Sequence, residues 1–171
     1  EDPLRVRRGR AHEPRQGVAY LMSDFVEKLR AIVGDKGLIV DEQGKHSYVT
    51  DWRESFVGNA LAVVRPANTQ EVADVVRLCA AEKVSVVPQG GNTGLVGGQT
   101  PHHGEVVISL RRLDKIRDVD PASNTMTCEA GVVLQVAQQR AAGIDRLFPL
   151  SLGAEGSCTI GGNLSTTAGG T

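Results

Sequence analysis

Aromatic residues make up only 4% of this chain. That is too few for the stacked platforms on which single-stranded nucleic acids are read. Cysteine is scarce as well. Cys79, Cys128 and Cys158 are far apart, odd in number and form no C-x-x-C pair, which argues against a disulfide framework or a zinc site. Free thiols of this kind point to a reducing compartment, and the cytoplasm is the expected location. There is no charge excess of either sign. Nineteen Lys and Arg against twenty Asp and Glu leave a net charge of -1, which gives no nucleic acid or other polyanion a reason to bind. No apolar run approaches the length of a membrane span. Internal repeats and low-complexity linkers are lacking too. What remains is a chain of 171 residues, 40% hydrophobic and 23% charged, as suits one ordinary domain.

Glycine, with 20 residues, is the excess. Five glycines fall within nine positions after the apolar run Val84–Val87, in Pro88-Gln89-Gly90-Gly91-Asn92-Thr93-Gly94-Leu95-Val96-Gly97-Gly98. The run reads as a buried strand that stops at Pro88. Glycine permits positive φ and close approach to the main chain. Successive N–H groups in such a turn converge on an anion. Two better-known phosphate loops are excluded. No lysine follows the glycines, as a P-loop requires. Gly91, Gly94 and Gly97 are three apart and lead to Thr100-Pro101 instead of a helix, so this is no Rossmann fingerprint.

A second glycine-rich stretch runs from Pro149 to Thr171, as Pro-Leu-Ser-Leu-Gly-Ala-Glu-Gly-Ser-Cys-Thr-Ile-Gly-Gly-Asn-Leu-Ser-Thr-Thr-Ala-Gly-Gly-Thr. Together the two stretches resemble the FAD-binding domain of vanillyl-alcohol-oxidase (PCMH-type) flavoenzymes. Within it they look most like the D-2-hydroxyglutarate and D-lactate dehydrogenase branch. The resemblance covers roughly residues 39–171. It implies an α+β fold, with a small parallel βαβ subdomain followed by a truncated mixed or antiparallel sheet. It implies that Pro88, Gln89, Gly90, Gly91, Asn92, Thr93, Gly94 and Leu95 wrap the FAD pyrophosphate. It also implies that Pro149, Leu152, Gly153, Gly156, Ser157, Ile160, Gly161, Gly162, Asn163, Thr167, Ala168, Gly169 and Gly170 line the flavin. Some relatives anchor flavin covalently through a histidine before the first glycines. Gln89 stands there, so FAD is expected to be held non-covalently. The family pattern places asparagine where this chain has Thr167. Threonine lacks the amide's paired donor and acceptor.

Residues 1–21 are arginine-rich with scattered Pro and Gly, and read as a disordered upstream extension, with a basic targeting segment as the alternative. Residues 22–171 read as the FAD-binding domain, incomplete at its carboxyl end. Residues 24–33 carry Phe25, Leu29, Ile32 and Val33 at helical spacing. Residues 44–57 read as irregular, with Tyr48 and Trp52 packed in a loop. Residues 60–64 read as a strand, and Asn68-Thr69-Gln70-Glu71 has capping-box spacing before a helix with Val72, Val75, Val76 and Cys79 on its buried face. Strand, helix and strand imply parallel strands, with the glycine loop leaving a carboxyl end, where α/β folds bind ligands. Residues 106–110 form another strand. Residues 116–120 and 125–129 read as a hairpin. Gly131 is expected to open a helix that Gly143 ends.

Few residues offer chemistry. His102 and His103 are adjacent, lack a carboxylate at ligand spacing and read as a solvated loop. His46 reads as a surface residue. Cys158 reads as a small buried residue. No residue is assigned to catalysis or to a metal. The family resemblance makes the chain part of an enzyme that oxidises a small D-2-hydroxy acid to its 2-oxo acid by hydride transfer to flavin N5. The residues do not identify the electron acceptor. The full-length enzyme is expected to be a homodimer. Another FAD-dependent oxidase or reductase of the same fold, or a non-catalytic FAD-binding module, are the rival readings.

Overall fold

The computed structural model describes residues 16–170, with side chains from Ser23 onward. Helix α1, Gln16–Val33, starts eight residues before the helix expected from the sequence, inside the segment read as an extension. Residues 1–15 lie outside the described residues. Strand β1 (Leu38–Ile39), helix α2 (Glu42–Val49), strand β2 (Ala60–Val64), helix α3 (Thr69–Ala81), strand β3 (Val86–Gln89) and strand β4 (Glu105–Ser109) follow. They build a four-stranded sheet of order β1-β2-β4-β3. β2 and β3 are parallel, as expected, but β4 lies between them and pairs parallel with both. β1 is antiparallel to β2.

The sheet has an apolar layer on each face. On one, Phe25, Leu29 and Val33 of α1 pack with Val75 and Cys79 of α3 over Ala62, Val64, Val106 and Ile108. On the other, Tyr48 and Val49 of α2 pack with Ala60, Val63 and Val107. Ala60 and Ala62 should share a face by strict alternation. A register shift between them makes Leu61 an extra residue, and this bulge turns Ala60 to the α2 side.

Three sequence expectations change here. Residues 44–57 are not all irregular, because α2 is a helix capped by Asp41, whose carboxylate accepts from the Gly44 N–H at 2.7 Å. Of the two aromatics read as packed, Tyr48 is packed, whereas Trp52 is exposed, with Arg53 4.8 Å from its ring centre. In α3, Leu78 packs toward the core in place of Val76, which is exposed. The cap of α3 is as expected. The Glu71 N–H donates to Asn68 Oδ1 at 2.9 Å, while the Glu71 carboxylate reaches back to the Ala67 N–H at 2.7 Å.

Strand β3 is not the buried strand the apolar run implied. It lies at the sheet edge, Val86 is 37% exposed, and the strand continues through Pro88 to Gln89. An edge position tolerates Pro88, whose missing N–H removes no ladder bond when it points outward. The hairpin forms as expected, from β5 (Ile116–Asp120) and β6 (Thr125–Cys128). Helix α4, Leu134–Ala142, starts three residues after Gly131. Gly131 has a different duty: a Cβ there would lie 2.1 Å from the Leu110 carbonyl oxygen. Helix α5, Ile160–Ser165, falls inside the second glycine stretch.

Candidate functional site

The first glycine loop leaves the carboxyl end of β3. Its opening is braced by two amide side chains. Gln89 is buried, and its Nε2 donates to the Tyr48 carbonyl at 2.8 Å and the Gln99 carbonyl at 3.1 Å. Asn92 Nδ2 donates to the carbonyls of Ser47 at 3.1 Å and Thr50 at 2.8 Å. The bonds to Ser47, Tyr48 and Thr50 satisfy carbonyls at the end of α2, where helices leave acceptors unpaired. Asn92 takes φ of 57°, a left-handed conformation that asparagine tolerates better than most residues. Gly97, at φ 74°, closes the loop beneath the Phe56 ring.

The second stretch lies directly on this loop. A Cβ at Gly91 would fall 2.0 Å from the Ser157 carbonyl oxygen, and one at Gly90 2.3 Å from Thr159 Oγ1. The second stretch is anchored from behind by α4. The Leu134 and Gln135 N–H groups, free donors at a helix start, bond the carbonyls of Cys158 at 3.1 Å and Glu155 at 3.1 Å. The N–H groups of Ile160 and Gly161 bond the carbonyls of Val132 at 2.9 Å and Ala130 at 2.8 Å. Gly161 is needed there, because its Cβ would lie 2.7 Å from that of Ala130. Glu155 closes the preceding turn by accepting from Ser151 Oγ at 2.6 Å and the Leu152 N–H at 3.2 Å. Those donors, with Gln138, favour its charged form and hold its carboxyl below the ordinary glutamate range. The Glu155 carboxylate therefore serves the turn.

Not every expected residue joins this seam. Gly90, Gly91, Ser157 and Gly162 meet there. Gly94 packs on the Gln99 side chain. Leu95 points outward and is exposed. Pro149 lines a separate cavity of about 420 Å³ with Arg146 and Phe148, beside the β5–β6 hairpin. Gly153 and Gly169 face open space, and Gly170 packs on the Ser151 carbonyl. Thr167 adopts φ of 50°, where a β-branched residue is strained and asparagine, which the family pattern has, fits better. Cys158 is buried, and its Sγ accepts from Asn163 Nδ2 at 3.6 Å. His46, His102 and His103 are exposed. The His102–His103 pair lies before the amino end of β4, the opposite end of the parallel strands from Gly90.

What the site can do follows from its unmet hydrogen bonds. Among the described residues, the N–H groups of Gly90 to Gln99 find no acceptor in the protein. Six buried side-chain polar atoms also lack a partner, and all but Arg65 Nε surround this loop. Asn92 Oδ1 belongs to it. Thr50 is bonded to Asn92 through its carbonyl. Thr100 ends the loop, Ser109 is the register partner of Gln89, and Thr159 abuts Gly90. Each such atom costs about 1–3 kcal/mol when it has no partner. Arg111, just past β4, donates to the Gly91 carbonyl at 2.9 Å and adds a positive charge at the same edge. A run of free amides, a cation and orphaned hydroxyls at the carboxyl end of parallel strands fit the diphosphate of a dinucleotide. Thr159, Ser109 and Arg111 were not singled out from the sequence. For Arg111 the available signal was its position directly after a strand's carboxyl end.

A mixed sheet whose edge strand ends in this loop, sealed by a second glycine stretch, has the PCMH-type fold. The chain belongs to the FAD binding domain family, whose model matches residues 60–171, and FAD is the cofactor of that family. It is 40% identical over 150 residues to a D-2-hydroxyglutarate dehydrogenase, mitochondrial, of Arabidopsis thaliana, covering 88% of this chain and 27% of the relative. It is 43% identical over 124 residues to a D-2-hydroxyglutarate–pyruvate transhydrogenase of Saccharomyces cerevisiae, covering 72% of this chain and 25% of the relative. The chain thus spans about a quarter of the length of these relatives. The solved structure of an alkyldihydroxyacetonephosphate synthase shares the fold, with a TM-score of 0.78 at 22% identity, over 98% of this chain and 32% of that one.

These names correct one expectation. The Arabidopsis relative is named mitochondrial, as are those of cow and zebrafish, and this overturns the cytoplasmic location read from the cysteines. Free thiols are compatible with any reducing compartment and do not choose among them. No described helix is long and apolar enough to cross a membrane.

Proposed function

We propose that this chain is the FAD-binding part of a dehydrogenase that oxidises a D-2-hydroxy acid, of the D-2-hydroxyglutarate or D-lactate type, to the 2-oxo acid. The single observation that carries the cofactor half of this reading is the seam, where unpaired amides and orphaned hydroxyls gather around one loop. The substrate half rests on the likeness to the Arabidopsis relative. Bound FAD would supply the redox chemistry, as acceptor for the hydride of the substrate's α-carbon.

The chain's own residues bind and orient. Amides of Gly90 to Gln99 hold the diphosphate, with Arg111 offsetting its charge. Gln89 and Asn92 fix the loop against α2. The stretch around Gly161–Asn163 would line the flavin, as the family resemblance implies. Attachment is non-covalent, because Gln89 is no nucleophile and its amide is committed to two carbonyls. The base that takes the substrate's hydroxyl proton would come from a region outside residues 16–170, since His102 and His103 lie at the opposite end of the parallel strands from Gly90 and His46 is an exposed residue of α2.

The test uses the full-length protein. Acid precipitation should leave the yellow flavin in the supernatant, and anaerobic D-2-hydroxyglutarate or D-lactate should bleach the bound flavin. Flavin in the pellet would refute non-covalent attachment. Failure of every D-2-hydroxy acid to bleach it would refute the substrate class and leave FAD binding standing.

A further inference from the structure

Thr159 is 2% exposed and its Oγ1 has no hydrogen-bond partner. It precedes α5 yet caps none of that helix's N–H groups. Its backbone is fixed by bridging Val133, a pairing that holds the side chain in place from behind. In front of it, Oγ1 lies 2.3 Å from where a Gly90 Cβ would be and 3.4 Å from where a Gly162 Cβ would be. The hydroxyl is therefore wedged between the two glycine stretches, where neither glycine offers a side chain to pair with it. A valine would fill the same volume without a polar atom to desolvate. Packing alone gives no reason for a hydroxyl here.

We infer that Thr159 is a cofactor-binding residue whose hydroxyl donates to a phosphoryl oxygen of the FAD diphosphate. The inference rests on the FAD reading above and adds a side-chain contact to it. A hydroxyl donating to an anionic oxygen makes a stronger bond than a neutral pair. It also accounts for the orphaned atom, because a buried hydroxyl without a partner is destabilising in the unliganded protein.

Opposite consequences follow for the free and bound protein, and the experiment uses both. Thr159→Val and Thr159→Ser are made in the full-length protein, stripped of flavin and titrated with FAD. Unfolding of the flavin-free protein, FAD affinity and the phosphorus NMR shifts of bound FAD are measured. Thr159→Val should unfold no earlier than the parent, bind FAD about tenfold or more weakly and shift a diphosphate phosphorus resonance. Thr159→Ser should bind FAD nearly as the parent does. An unfolding midpoint lowered in flavin-free Thr159→Val would make the hydroxyl structural and overturn the inference. Unchanged affinity would overturn it too, as would a change in the flavin's visible band with unmoved phosphorus shifts. If the parent protein bound no FAD, the reading underneath would fail and this inference with it. Tight binding by parent and Thr159→Val alike would sink the inference alone.

Discussion

Gly91→Ala should break the seam and weaken FAD binding about a hundredfold or more. The added methyl would sit 2.0 Å from the Ser157 carbonyl oxygen, 2.9 Å from its carbon and 3.0 Å from the Cys158 Cα. All three are backbone atoms, so no flexible side chain can swing clear. Ser157 and Cys158 are in turn held by α4, since the Cys158 carbonyl accepts from the Leu134 N–H. Relief must come from separating the loop from the second stretch. Overpacking of this kind costs about 1–3 kcal/mol and sometimes more. The loss in affinity corresponds to about 3 kcal/mol. Gly98→Ala and Gly153→Ala are the controls, because a methyl at either meets nothing within 4 Å. FAD titration by flavin fluorescence separates the cases. Parent-like binding by Gly91→Ala would show that the two stretches need not touch.

Gln89→Leu should destabilise the protein by about 2–4 kcal/mol even without FAD. The leucine is of similar size but leaves the carbonyls of Tyr48 and Gln99 without their donor, at about 1–3 kcal/mol each. The loss should show in urea unfolding of the flavin-free protein. It should also loosen α2, which the Gln89 and Asn92 amides hold by its carboxyl end. If Gln89 served FAD directly, the variant would bind FAD poorly while unfolding like the parent. Equal loss in both measurements identifies a brace.

The sheet and its ligand edge were legible because they are local. An apolar run, a capping box and glycine clusters are written in neighbouring residues. The reasons for the glycines were not. Gly90 and Gly91 invited a reading as space for a ligand, yet their hydrogens face Thr159 and Ser157, some 66 or more positions away. Helix α2 was missed because Glu42–Val49 carries Gly44 and only a weak apolar stripe. Its support is long-range: the Gln89 and Asn92 amides at one end, and the buried Lys45 ammonium donating to the Ala60 carbonyl at 2.7 Å. Tertiary contacts of this sort override local propensity. Thr159 had no local signal at all, being one threonine between Cys158 and Ile160. It stands out only once burial and missing hydrogen bonds are known.

The central claim is that the amides of Gly90–Gln99 hold the FAD diphosphate. Hydrogen exchange of the flavin-free full-length protein, with and without saturating FAD, tests it most directly. Exchange should slow in peptides covering Gly90–Gln99, with no change at His102–His103 or along α3. FAD that binds tightly and leaves the exchange of Gly90–Gln99 untouched would contradict the account.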